Sequence, residues 1–585
     1  MVAAGESCPD VARSLHAPLP SRHSRWIWPV LSCALVLASI LVANPFTSAG
    51  FCDDWSYAHV AMKLAETGHL HYNDWGNPLI LFQTLWAVPW IRLFGFSFQV
   101  LGASMLPLAL AFVLMVYATG REVGLRPATA AFAAITMGTC PLFMILAGSF
   151  MTDVCGCLFS LICVYAALKS AHAESATTDR RWLWIVTVAG LAGGANRQIV
   201  WVAPLSLIPY LFWMRRRDAR FRVHAAAAYT VCIAGVVTLL HYFGQPFSPM
   251  MMSDEQKAWV LRYHAIPAAR LIIQFLMMAI MLSGPAFCCL LSTLRRRRPV
   301  WVMAAALAAL MIAMAQIVAG YPSAPYGNHL LGPRGPLGAL AAPPLSSPVR
   351  VALTFGVDFC ILIMLMNSRR GLSWAALRSD TTLHVFGIFS GGYLLLLVPG
   401  AFTGFSFDRH ILPVIPLLLL EVLRRFSKSG RSIPVLAWVA AAVFGGYAMA
   451  ITHDYFSGMR AHITTAEAME KTGIPRNHIS AGFEYDGWTQ VSRHGYVRVG
   501  AYIDHLTDYS AKGYWIDFWS HTPDFDPEYV LLNDDPGSPL QGGLWKTSYH
   551  TWMPPHQGRV VVLRRSDLSN VLNAARLLPV SMSWR

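Results

Sequence analysis

Charge is scarce in this chain. Asp, Glu, Lys and Arg make up 13% of its 585 residues, against about 25% in soluble domains. A water-soluble enzyme of this length is thereby excluded. Cysteine pairing is lacking as well. Eleven cysteines occur, yet there is no Cys-x-x-Cys, no zinc-like spacing, and none after Cys360. Cys33, Cys140, Cys155, Cys157, Cys163, Cys232, Cys288, Cys289 and Cys360 fall in apolar stretches and read as small apolar side chains. No internal repeat is detectable, which weighs against the repeat-built transporters. No nucleotide-binding domain precedes the "DFD" at Asp524–Asp526, so that triplet reads as a Pro-flanked turn rather than a nucleotide-sugar site.

What the chain does have is long apolar runs. Mean hydropathy is +0.45, and runs long enough to cross about 30 Å of hydrocarbon recur along most of its length. Candidate spans are 27–45, 98–118, 127–147, 154–171, 182–194, 198–214, 225–244, 268–291, 300–320, 350–367, 383–400, 409–425 and 433–451. The first follows "RHSR" and reads as a retained helix, not a cleaved signal. The short pair 182–194 and 198–214 is expected to meet at a broken point near Asn196-Arg197.

The formal charge of +14 resembles a nucleic-acid signal, but its placement is topological. With the N-terminus inside, the basic runs Arg215–Arg217, Arg295–Arg298 and Arg424-Arg425 all fall on the inner side. Isolated residues such as Lys63, Arg92 and Arg350 fall outside. The stretch 78–95 would reverse this order if it spanned, so it is placed as an interfacial or re-entrant helix. The expected fold is an all-α polytopic membrane protein of about 13 transmembrane helices with a small C-terminal α/β extracytoplasmic domain. Residues 1–26 form a cytoplasmic tail. Residues 27–451 form the transmembrane domain, with a first outer loop at 46–97, and 452–585 form the outer domain. In that last part "VRVGAYI", "YVLLN" and "RVVVLRR" read as strands, and "TTAEAMEKTG" reads as a helix opened by Thr caps and closed at Gly473. The outer loop 321–349, rich in Gly, Pro and Ser, is expected to be mobile.

The informative residues are acids in this greasy setting. "FCDDWSYAHVAMKLAETG" places Asp53 and Asp54 just after the first span, before an amphipathic helix. Helix capping is the ordinary explanation for such acids. However, "AGSFMTDVCGC" puts Asp153 at another outer helix mouth, and Arg197 and Arg409 map to the same side. Ionisable groups near membrane depth usually face a cavity or a partner. A carboxylate can deprotonate an attacking hydroxyl, and arginines can hold a leaving phosphate. The Gly-rich "GLAGG" at 190–194 reads as close helix packing, not a phosphate loop.

The sequence resembles the glycosyltransferase-C superfamily. The nearer likeness is to the branch of protein O-mannosyltransferases, bacterial aminoarabinose transferases and lipopolysaccharide-core glycosyltransferases. The likeness is carried by "DDWSYAHVAMKLAETGHL", "NPLILFQTLWAVPWIRLFGFSF", "FMTDVCGCLFSLICVYAALK", "GLAGGANRQIVWVAPLSLIPYLFWMRRR" and "FDRHILPVIPLLLLEVLRRF", across residues 25–430. The Trp-Trp-Asp motif of oligosaccharyltransferases is absent. The resemblance implies an inverting, membrane-embedded glycosyltransferase with a polyprenyl-phosphate-linked sugar donor and a lipid, glycan or protein acceptor. It implies transfer on the periplasmic face of a bacterial inner membrane, and no nucleic-acid partner. It makes Asp53, Asp54 and Asp153 catalytic candidates and Tyr57, Arg197, Arg409 and His410 substrate-binding candidates. Some relatives hold a divalent metal, for which His71, Asp74 and His264 are the candidates here. The rival functions are a lipid-linked sugar flippase or transporter and a surface-polysaccharide ligase or polymerase. Cysteine accessibility tests the threading: cysteines replacing Asp53 or residues of the C-terminal domain should label from outside intact cells, and Arg216→Cys should not.

Overall fold

The computed structural model of the protein describes residues 24–73, 75, 79–243, 265–292, 299–318, 326, 329–332, 336, 347–368, 378–402, 407–495, 525–534 and 543–567. Helices occupy each stretch that the apolar runs point to. They are α1 (Ser24–Ala43), α4 (Phe98–Glu122), α5 (Pro127–Gly138), α6 (Pro141–Ala147), α7 (Asp153–Ala171), α8 (Ala176–Gly194), α9 (Val202–Met214) and α10 (Ala219–Phe243). The series continues with α11 (Ala265–Leu282), α12 (Gly284–Leu291), α13 (Pro299–Val318), α14 (Ser347–Ser368), α15 (Thr381–Phe402), α16 (Ile415–Ser427) and α17 (Val435–Lys471). The first loop adds α2 (Asp54–Thr67) and α3 (Leu81–Phe94). Among the described residues, six helices are long and apolar enough to cross a membrane singly, or up to eight spans if each bent pair counts as one. The chain is a multi-pass membrane protein.

Two expected continuous spans are broken. Residues 127–147 form α5 and α6 at 67° to each other, and 268–291 form α11 and α12 at 64°. The reason is local: Pro141 and Pro285 lie in the first turn of the second helix of each pair, where the missing N–H costs nothing but would break a continuous ladder. The segment 409–425 is likewise a short 3-10 turn, Asp408–Ile411, followed by α16. The expected break near Asn196-Arg197 is present, since α8 stops at Gly194 and a 3-10 turn, Gln198–Trp201, leads into α9. The "GLAGG" glycines do pack closely: Gly190 meets Pro204, Gly193 meets Phe159, and Gly194 meets the Trp201 indole.

The Thr caps proposed for "TTAEAMEKTG" are not used. That segment is the far end of α17, a single helix of 37 residues, about 55 Å long. Nothing between His453 and Thr464 stops it: there is no proline, and Ile451, Tyr455 and Phe456 are buried along the way. The helix therefore extends beyond one bilayer thickness and becomes the spine of the C-terminal domain. On it rests a sheet of order β1-β2-β4-β3, formed by β1 (Ile479–Ser480), β2 (Tyr529–Asn533), β3 (Trp545–His550) and β4 (Gln557–Arg564). β1 and β2 run parallel, and the other pairs are antiparallel. Ala466, Met469, Ile479, Tyr485, Leu531, Val560 and Val562 form its core. "VRVGAYI" lies outside the described residues. A last helix, α18 (Phe483–His494), leaves the sheet and packs on α2, so the first loop and the C-terminal domain touch.

Candidate active site

Asp53 occupies the N-cap position of α2, but its side chain makes no capping hydrogen bond. Its carbonyl starts the helix, accepting from Ser56 N at 3.0 Å. The carboxylate is left for other partners. Trp75 Nε1 donates to Oδ1 at 3.0 Å, and Arg409 Nη2 lies 3.5 Å from Oδ2. Trp75 is aimed by a local clasp. Asn73 Nδ2 donates to Ser56 O at 2.9 Å, and the Ser56 hydroxyl donates to Asn73 Oδ1 at 2.9 Å and Trp75 O at 3.0 Å.

Asp153 is treated the same way. Thr152 at the N-cap of α7 makes no side-chain cap, and Asp153 Oδ1 pairs with Arg197 Nη1 at 2.6 Å. Its Oδ2 lies 4.0 Å from Arg409 Nε. Arg197 reaches this point because Gly156, one turn into α7, leaves its stem room: a Cβ there would stand 3.1 Å from Arg197 Cδ. The break after α8 is fixed by its own polar pair, with Gln83 N donating to Asn196 Oδ1 at 3.0 Å and Asn196 Nδ2 donating to Gln83 Oε1 at 3.3 Å. Gln83 also donates to Phe150 O.

The result is a buried alternation, Asp53–Arg409–Asp153–Arg197, drawn from four distant parts of the chain. Arg197, Arg409 and Asp153 line a small cavity with Gly156, Tyr393 and Pro413. Within it, Arg409 Nε and Nη1 and Asp153 Oδ2 have no hydrogen-bond partner among the described residues. The two guanidinium nitrogens are buried donors, costly to leave unmet, and a bound anion would satisfy them, whereas Asp153 Oδ2 is an acceptor that an anion would not satisfy. Among the four, Asp53 is the acid open to solvent, its side chain 22% exposed against 2% for Asp153.

The remaining candidates separate. Tyr57, one helical turn beyond Asp53, is buried and feels Asp53, Arg409 and Arg197 electrostatically. Asp54 turns away from the arginines and accepts from Phe150 N at 2.7 Å. Burial pushes its carboxyl well above the usual range. His410 Nδ1 accepts from Phe407 N at 3.2 Å and so serves the turn itself. His71 is exposed, with His69 at 6.4 Å between ring centroids. Asp74 and His264 lie outside the described residues. Among the described residues no group of three His, Cys, Asp or Glu side chains has metal-holding geometry.

Three residues of this site escape a reading of the sequence. Trp75 looks like an interface anchor. Asp408 looks like a partner for Arg409, yet it accepts from the backbone amides of Leu330 at 3.0 Å, Leu331 at 2.6 Å, His329 at 3.3 Å and Arg409 at 2.8 Å. It thereby pins part of the 321–349 loop over the arginine turn. Tyr393 lies on α15, whose sequence offers no charge to flag it.

No family profile matches the chain, and no curated protein matches it. Solved structures similar to it include ArnT from Cupriavidus metallidurans bound to undecaprenyl phosphate, with 14% identity over 76% of this chain and 73% of that one, at a TM-score of 0.40. The oligosaccharyltransferase of Archaeoglobus fulgidus tethered to an acceptor peptide is similar at 12% identity, 86% and 69% coverage, and TM-score 0.44. The S. cerevisiae protein O-mannosyltransferase complex bound to the sugar donor is similar at 14% identity, 37% and 33% coverage, and TM-score 0.30.

Removing one member of the buried alternation should be costly. Asp153→Asn is expected to lower stability by about 3 kcal/mol, because the buried Arg197 charge loses its carboxylate and keeps only the neutral Thr152 hydroxyl at 3.1 Å beside the new amide. Asp54→Asn should cost under about 1 kcal/mol, since the amide oxygen can still accept from Phe150 and burial already disfavours the charge that is removed. Thermal unfolding in detergent checks both.

Proposed function

We propose that the protein is an integral-membrane glycosyltransferase. It moves a sugar from a polyprenyl-phosphate donor to a hydroxyl of a lipid, glycan or protein acceptor on the outer face of the membrane, in a bacterial inner membrane with the N-terminus cytoplasmic. One observation carries this reading. Asp53 and Asp153 stand at helix starts without capping and instead face two buried arginines, one of which has unmet donors.

The chemistry follows from that placement. Asp53, the solvent-open acid, accepts the proton of the acceptor hydroxyl. The hydroxyl oxygen bonds to the anomeric carbon while the bond from that carbon to the phosphate oxygen breaks. The electron pair leaves with the phosphate, and attack from the face opposite the leaving group inverts the anomeric centre. Arg409, with Nε and Nη1 spare, takes up the growing phosphate charge. Asp153 keeps both guanidiniums in place, and protonation of Asp53 in the reaction would leave the cluster with a net positive charge. Tyr57 and Tyr393 border the reacting groups. A phosphate on a lipid tail would enter from the bilayer side, which suits a site formed where helices emerge.

The test is a transfer assay of purified protein with a panel of polyprenyl-phosphate monosaccharides. Asp53→Asn is expected to lower turnover by about 1,000-fold while membrane insertion is unchanged. Turnover by Asp53→Asn close to wild type would refute the assignment, as would lipid-linked sugar translocation without transfer.

A further inference from the structure

The turn that presents Asp53 is itself held by another domain. Cys52 adopts φ +51, a left-handed conformation that a non-glycine residue keeps only when its surroundings impose it. Its amide does not find a backbone partner. It donates to Glu484 Oε1, on α18 of the C-terminal domain, at 3.0 Å. The Tyr455 hydroxyl on α17 donates to the same oxygen at 3.3 Å. Glu484 is buried and sits 432 residues along the chain from the amide it holds.

The surrounding contacts show a built interface. Gly487, one turn beyond Glu484, lies flat on the Trp55 indole, with no room for a Cβ. Phe483 meets Trp55 at 5.9 Å and Trp75 at 5.7 Å between ring centroids. Trp488 stacks on Phe96 at 5.4 Å. Thus α18 presses on the start of α2 and on Trp75, the donor to Asp53.

We propose that Glu484 is a positioning residue for the reaction: by holding the Cys52 amide, the C-terminal domain keeps the Phe51–Asp53 turn in the form that aims Asp53 at Arg409. This rests on Asp53 being the base. The groups facing Glu484 are the Tyr455 hydroxyl from α17, Cys52, Asp53 and Asp54 from the outer loop, and Asp486 on its own helix, with Arg409 beyond Cys52. Among these, burial first and then the Asp53 charge push the Glu484 carboxyl up, to about 7. A raised folded-state value means that the docked form favours protonated Glu484. Its contribution to docking is full below the ordinary carboxylate range and is lost as pH rises through about 7.

The experiment compares wild type, Glu484→Ala and Glu484→Gln as full-length protein in detergent. It uses kcat and KM with the polyprenyl-phosphate monosaccharide found active above, and the maleimide reactivity of the buried Cys52 thiol followed by peptide mapping. Glu484→Ala should lower kcat by about 100-fold, leave the donor KM unchanged, and expose Cys52 to labelling. Glu484→Gln, which keeps an accepting oxygen, should restore kcat at pH 6, and its Cys52 labelling, divided at each pH by that of a fully exposed thiol to remove the thiolate fraction, should not show the rise that wild type shows between pH 6 and 8. Wild-type kcat and labelling in Glu484→Ala would overturn the proposal, as would an unaltered pH profile in Glu484→Gln. If no donor turns over, the transfer reading falls, and Cys52 labelling still decides whether Glu484 holds the turn.

Discussion

Two guanidinium groups cannot sit buried among apolar helices unless carboxylates face them. That constraint organises one end of this bundle. Arg197 is balanced by Asp153, and Arg409 sits between Asp153 and Asp53. Each partner comes from a different element, so the four groups meet only when the first loop, the start of α7, the break after α8 and the 3-10 turn before α16 are all in place. Charge pairing thereby sets the geometry on which the proposed chemistry depends.

The helix breaks serve this end. A continuous helix through 195–201 would carry Arg197 past the cavity, and a continuous helix through 408–414 would deny Asp408 the four backbone amides that fix the arginine turn. Prolines and small residues at these points interrupt apolar runs that would otherwise cross without pause. At these helix starts no side chain makes a capping hydrogen bond, so the Asp53 and Asp153 carboxylates are left to face the arginines.

Much of this was legible in the sequence because charge is so scarce there. Asp53, Asp153, Arg197 and Arg409 stand out against apolar surroundings, and the basic-residue asymmetry places all four on one side. Their convergence follows from burial cost, which the sequence already displays. Tyr57 is implied by the family resemblance alone, and it lies one helical turn beyond Asp53. What was hidden has physical reasons too. Glu484 and Asp486 lie in a domain where acids are common, so their burial leaves no trace in composition. Trp75 resembles any interfacial tryptophan. The bends at Pro141 and Pro285 were read through, because apolar runs signal length and not direction. The joined helix Val435–Lys471 was divided, because a change from apolar to mixed composition marks the exit from the membrane and not the end of a helix. Asp54 was read with Asp53 by adjacency, whereas consecutive residues at a helix start point to different faces.

The central claim is that Arg409 offers a lipid phosphate its free edge while Asp53 faces the acceptor. Equilibrium binding of undecaprenyl phosphate to the purified protein tests this most directly. Arg409→Ala should weaken binding by about 100-fold, and Asp53→Asn should bind as tightly as wild type. Undiminished binding by Arg409→Ala, or an equal loss in Asp53→Asn, would contradict it.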